Sequence, residues 1–120
     1  MSTTKSYKWH KIADSIASIK TAENGLTEIQ VAGKPICVSV QADTVLACAA
    51  KCPHASGSMV NGYVDALGQI VCPLHRYKFM LQNGRCTSGE GYYLKTYPIK
   101  QDKTGIFVGI EDGNWLSWLK

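Results

Sequence analysis

The sequence predicts an all-β fold, an antiparallel sandwich or barrel, and three observations carry that reading. Its β-branched and aromatic runs are short, turn signals separate them at intervals of about eight to twelve residues, and no linker or internal repeat divides the chain. At 120 residues the chain is one domain's worth. A domain of that size buries somewhat over about 60% of the surface its unfolded form exposes, which is enough for a modest core.

In chain order, strands are expected at Tyr7 to Ile12, Leu26 to Val31, Ile36 to Gln41, Thr44 to Ala50, Gln69 to Val71, Lys78 to Leu81, Leu94 to Lys100 and Gly105 to Ile110. Turns are expected at Asn24-Gly25, Gly33-Lys34-Pro35, Ala42-Asp43, Leu67-Gly68, Asn83-Gly84 and Gln101-Asp102-Lys103. Asn83-Gly84 is the strongest hairpin signal, because both residues tolerate the positive φ of a type I′ turn. Asp14 to Lys20 reads as a short helix capped by Asp14 or as a loop. A two-residue turn at Ala42-Asp43 sets Cys37 opposite Cys48, either as two small apolar side chains or as a redox-responsive pair. Cys86 reads as a structural thiol, and His10, early in the chain, as a surface residue.

Composition excludes several classes. The formal charge of +4 is mild, and Lys and Arg are scattered with no basic helix or aromatic-interleaved strip, so nucleic acid is not an expected partner. No apolar run approaches the roughly 18 residues that span a bilayer, and the start MSTTKSYKWH has no hydrophobic segment of the signal-peptide kind. The expectation is a soluble, cytoplasmic protein. Five cysteines are an odd number and do not indicate a disulfide framework.

The chemistry is concentrated in two motifs, Cys52-Pro53-His54 and Cys72-Pro73-Leu74-His75, with seventeen residues between His54 and Cys72. Each supplies one thiolate and one imidazole. Imidazole serves zinc, copper, iron and nickel alike, so the donor types alone leave the metal open. Zinc sites usually group Cys with Cys and His with His at short spacing, and neither grouping occurs here. Each motif follows an apolar strand, so two adjacent strand ends are expected to present two loops at one tip, with the prolines presetting φ beside each cysteine.

Cys-x-His, a spacer, then Cys-x-x-His resembles the signature of the Rieske [2Fe-2S] family, matched residue for residue by Cys52, His54, Cys72 and His75. Likeness to that fold runs from about Trp9 to about Ile110. The resemblance implies a Rieske-type antiparallel β-sandwich or barrel with a two-loop cluster-binding tip, and one [2Fe-2S] cluster with Cys52 and Cys72 on one iron and His54 and His75 on the other. Residues 1–113 would form this domain, and 114–120 a C-terminal aromatic tail.

Neutral imidazoles in place of two thiolates raise the potential of such clusters, over a range of about −150 to +300 mV. High-potential members carry a further cysteine in each loop, a serine two residues after the second histidine and a tyrosine four after it. Here Gly57, Leu74, Tyr77 and Phe79 stand at those places, which implies the low end of the range. Arg76 is a departure, because many members have glycine there.

No nucleophile elbow, phosphate loop or two-histidine, one-carboxylate motif is present, so the chain is expected to carry electrons and not to be an enzyme. The implied role is a soluble one-electron ferredoxin between a flavin-dependent or other reductase and a terminal oxygenase or reductase acceptor. The alternatives are a small subunit or accessory module of a larger oxidoreductase, such as nitrite reductase, and a zinc-bearing interaction module. Lys51, Arg76 and Lys78 flank the motifs as a prospective basic collar. Trp115 and Trp118 in the tail would fold over a sheet edge or dock another protein or a second copy of this chain.

Overall fold

Strands form where the β-branched runs place them. The computed structural model describes residues 7–53, 57–74, 76–88 and 92–111. Among these the strands are β1 (Tyr7–Ala13), β2 (Leu26–Val31), β3 (Lys34–Gln41), β4 (Thr44–Ala49), β5 (Tyr63–Val64), β6 (Gln69–Val71), β7 (Lys78–Met80), β8 (Thr96–Tyr97), β9 (Ile99–Asp102) and β10 (Gly105–Glu111). All pair antiparallel, in three sheets of order β1-β10-β9, β2-β3-β4-β8 and β5-β6-β7.

The β2-β3-β4-β8 sheet is the middle layer. Successive side chains of a strand point to opposite faces. On one face Ile36, Val38, Val45 and Ala47 pack with Ile106, Val108 and Ile110 of β10. On the other, Leu26, Cys37 and Cys48 pack with Met59, Ile70, Phe79, Leu81 and Leu94, and with Cys52 and Cys72. Both faces of β3 are therefore covered, and Ile36 to Ser39 are buried without a break. Such a run is what a strand covered on both sides requires.

Several turns differ from expectation. β2 and β3 are joined by Ala32-Gly33, both at positive φ (52° and 79°), since Val31 pairs with Lys34. Lys34 and Pro35 belong to the strand. Pro35 is tolerated because its missing N–H faces the β4 side, where pairing has already ended at Ile36 and Ala49. The Ala42-Asp43 turn is as expected, and it sets Cys37 against Cys48.

At Asn83-Gly84 only Gly84 has positive φ, its N–H donating to Met80 O (2.7 Å) while Arg85 N–H donates to Asn83 Oδ1. This longer turn replaces the type I′ hairpin. A Cβ at Gly84 would lie 1.9 Å from the Leu94 carbonyl oxygen, so tertiary contact decides the residue. The expected Leu94 to Lys100 strand is split at Pro98 into β8 and β9, which pair in different sheets. The β9–β10 turn falls at Lys103-Thr104, because Gly105 pairs with Asp102. Residues Ile16–Ser18 form one 3₁₀ turn capped by Ser15, whereas Asp14 pairs with Lys11 at 2.7 Å. No helix among the described residues is long and apolar enough to cross a membrane.

The β5–β6 hairpin, with β5 not foreseen, is organised by Asp65. Its Oδ1 accepts from the Leu67 and Gln69 N–H groups (both 3.0 Å), and its Oδ2 from the Gln69 amide (2.8 Å). Desolvation pushes this carboxyl up, but the bonds from Gln69 and Leu67 and the Lys78 charge outweigh it and hold the pKa below the ordinary 3.8. A depressed folded pKa contributes stability above the unfolded value and loses it as pH falls through the folded one. Thermal stability of the native chain should therefore fall more steeply below about pH 4 than that of Asp65→Asn. Parallel profiles would refute the role.

Candidate metal centre

Two loops of matching closure carry the motifs. β4 runs into Cys52, whose N–H donates to Gly57 O (2.8 Å), and the base is closed by a Lys51–Ser58 bridge and by Met59 N–H to Ala50 O (2.8 Å). β6 runs into Cys72, whose N–H donates to Tyr77 O (2.9 Å) above the Val71–Lys78 pair. Each cysteine N–H thus binds the carbonyl five residues on. The two loops leave different sheets and not neighbouring strands of one sheet, a correction to the expected adjacent strand ends.

Packing of β4 against β5-β6-β7 brings Cys52 and Cys72 together in one cluster, with 2% and 0% of their surfaces exposed. Burial pushes the Cys72 thiol up to about 11, the Leu74 N–H opposes this by donating to its sulfur, and the neighbouring Cys52 thiol raises it again. A buried thiol whose anion is disfavoured by burial and by a neighbouring thiol is a ligand that a cationic metal would draw into its anionic form. His54 and His75 lie outside the described residues, as do Trp115 and Trp118. Among the described residues the structure therefore brings together the two thiols.

The loops approach closely where Gly57 stands. A Cβ there would meet the Leu74 side chain at 3.1 Å and the Cys72 sulfur at 3.2 Å. Gly57 and Leu74, which stand at the places of the extra cysteines of high-potential members, thus face each other in direct contact. Phe79 is fully buried in the cluster that holds Cys52 and Cys72, and the Tyr77 ring lies edge-on to Tyr92 at 5.9 Å. Lys51, Arg76 and Lys78 are all exposed, and Leu74 is 46% exposed.

Arg76 has φ 56°, the left-handed region that glycine favours. The loop keeps the conformation and carries its strain, of order 1–2 kcal/mol for a side chain with a Cβ. Arg76→Gly should leave the melting temperature unchanged or raise it by a few degrees, since relieved strain is offset by glycine's freedom in the unfolded chain. A clear fall would show that the Arg76 side chain itself holds the loop.

A brace that sequence reasoning missed supports the first loop. The Asn24 amide donates to the carbonyls of Val60 and Gly62 (both 2.9 Å), its Oδ1 accepts from Leu26 N–H (3.1 Å), and Gln41 Nε2 donates to Asn24 O (3.0 Å). Asn24-Gly25 signals a turn, but nothing local signals that its side chain reaches 38 residues along the chain.

Residues 8–98 match the family model of the Rieske [2Fe-2S] domain. The chain belongs to the Rieske family. Its cofactor is one Rieske-type [2Fe-2S] cluster. The donors present fit that group: two soft thiols meet at the inner side of the loops, and a backbone N–H is already aimed at one sulfur.

Similar proteins include the ferredoxin component of the alkene monooxygenase system of Xanthobacter autotrophicus, 28% identical over 60 residues, covering 50% of this chain and 49% of that one. The 3-phenylpropionate/cinnamic acid dioxygenase ferredoxin subunit of Escherichia coli is 31% identical over 64 residues, 52% of this chain and 59% of that one. The chain thus matches about half the length of these relatives. Among solved structures, the ferredoxin of carbazole 1,9a-dioxygenase from Nocardioides aromaticivorans superimposes with a TM-score of 0.71 at 25% identity, over 83% of this chain and 95% of that one. A nitrite reductase small-subunit structure from Mycobacterium tuberculosis (TM-score 0.74, 87% of this chain and 96% of that one) is 19% identical and shares the fold alone.

Proposed function

We propose that this Rieske domain is a one-electron carrier, not itself an enzyme, that passes electrons from a reductase to an oxygenase-type acceptor in the cytoplasm. The observation that carries the reading is the meeting of Cys52 and Cys72 in one buried cluster at the ends of two equivalently closed loops. Similarity to ferredoxin components of mono- and dioxygenase systems supplies the class of acceptor.

In this proposal Cys52 and Cys72 hold one iron from the core side, and His54 and His75 hold the other. A bound Rieske cluster accepts and returns one electron. The protein's part is to hold the sulfurs dry and to place the Leu74 N–H where it offsets negative charge on Cys72. Phe79 has no hydroxyl and neither Gly57 nor Leu74 can form a disulfide, which supports a potential at the low end of the family range. Residues 1–113 form the domain in this reading, and 114–120 remain a tail for a sheet edge, a partner or a second copy.

Lys51, Arg76, Lys78 and the exposed Leu74 form the docking rim. Rim charges act mainly on association rate. With reductase and a ring-hydroxylating oxygenase supplied, electron transfer should slow as salt rises, and Lys51→Glu should slow it several-fold at low salt while the cluster's electron-resonance spectrum stays the same. Absence of any Rieske spectrum in the reconstituted protein would overturn the carrier role itself. A rate indifferent to salt and to Lys51→Glu would remove the basic rim from it.

A further inference from the structure

A second pair of cysteines is independent of the cluster motifs. Cys37 on β3 lies directly opposite Cys48 on β4, and neither has any exposed surface. The Val40 N–H donates toward β2, at Gly25, and the Ala49 N–H toward β8, at Lys95. Backbone groups alternate sides along a strand, so those of Cys37 and Cys48 turn toward each other. They form a hydrogen-bonded antiparallel pair, a class in which α-carbons are typically about 5.5 Å apart. Disulfides span about 4.4–6.8 Å between α-carbons and are commonest near 5.5–6 Å. The thiols already interact, since contact with Cys37 is the first cause that holds the Cys48 thiol far above its ordinary pKa, ahead of burial. Both side chains belong to the face of the middle sheet that packs on the cluster loops.

We propose that Cys37 and Cys48 are a redox modification site, a dithiol that closes to a disulfide by a small approach of β3 and β4, since opposed Cβ atoms about 4.5–5.5 Å apart must close to about 3.5–4.5 Å, and clamps the strand that leads into Cys52. The oxidant is a low-molecular-weight disulfide. One cysteine thiolate attacks an oxidant sulfur and releases a small thiol; the second attacks the mixed disulfide and releases another. One oxidant S–S bond and two protein S–H bonds are broken, one protein S–S and two small-thiol S–H bonds form, and two electrons pass from protein to oxidant. Burial under Leu26, Met59 and Phe79 makes the reaction wait on local opening, so it is slower than modification of the half-buried Cys86.

The test uses the cluster-loaded Cys86→Ser protein, which lacks the more accessible thiol, incubated with oxidised glutathione just below its unfolding onset. Cleavage before Asp43 and after Lys51 separates Cys37 from Cys48, and both from Cys52, unless they are bonded. The expected result is a joined peptide pair lost on reduction, an unchanged cluster spectrum, and a melting temperature raised by about 5–10 °C, because closing the loop restricts the unfolded chain. Cys37→Ala in the same background should show neither the joined pair nor the rise. Separate peptides, a glutathione adduct alone, or a joined pair with a lowered melting temperature would each overturn the proposal, whether or not the Cys37→Ala variant folds.

Discussion

Replacing His54 or His75 with alanine should abolish the Rieske optical and electron-resonance spectrum of the chain, in each variant separately. The argument runs from the two thiols that the structure brings together. Cys52 and Cys72 supply donors for one metal only, and a two-iron group needs a second pair from the same loops. The histidines of the two motifs are the soft-to-borderline donors at hand in sequence. Because metal-binding energy at such a site is also folding energy, both variants should lose several degrees of thermal stability as well. Cys52→Ser and Cys72→Ser serve as the comparison, and should fail to hold iron altogether. An intact spectrum in both histidine variants would refute the ligand assignment while leaving the fold untouched.

Gly62→Ala should lower the melting temperature by about 10 °C and speed loss of the cluster, although Gly62 lies in neither motif. A Cβ at Gly62 would stand 1.9 Å from the carbonyl oxygen of Val71, the residue before Cys72. Backbone on both sides must then shift, and the Asn24 amide that bonds the Gly62 carbonyl shifts with it. Gly33→Ala is the matched control: its φ is 79°, but no atom lies within 4 Å of the added Cβ, so it should carry backbone strain of only about 1–2 kcal/mol and leave the cluster in place. Equal behaviour of the two variants would show that the contact at Val71 yields easily.

Local patterns made much of this legible. Alternating and β-branched runs located β2 and β6 to the residue, because strand formation there agrees with the burial demanded by the fold. The two-residue turn was read correctly at Ala42-Asp43, while those at Ala32-Gly33 and Lys103-Thr104 lie a residue or more from the expected places, since several small or polar residues in each segment suit a turn. Type I′ geometry was expected at Asn83-Gly84 and did not form: Gly84 N–H closes a longer turn on Met80 O, and the Leu94 carbonyl beside Gly84 leaves no room for a Cβ there. Arg76 shows the converse. Its sequence argues against a left-handed residue, and the closed Cys72 loop imposes one.

The sequence alone determined the donor set in its order and spacing, the all-β class and the strand runs, because each depends on residue type at short range. Only the tertiary structure decided that the β2-β3-β4-β8 sheet is a middle layer covered on both faces, and that Cys52 and Cys72 reach one another from two different sheets. It likewise decided that Asn24 and Gly62 support the loops. These are contacts between distant segments, and they follow from which faces must be buried together. A burial pattern such as that of β3 announces that both sides are covered without saying by what.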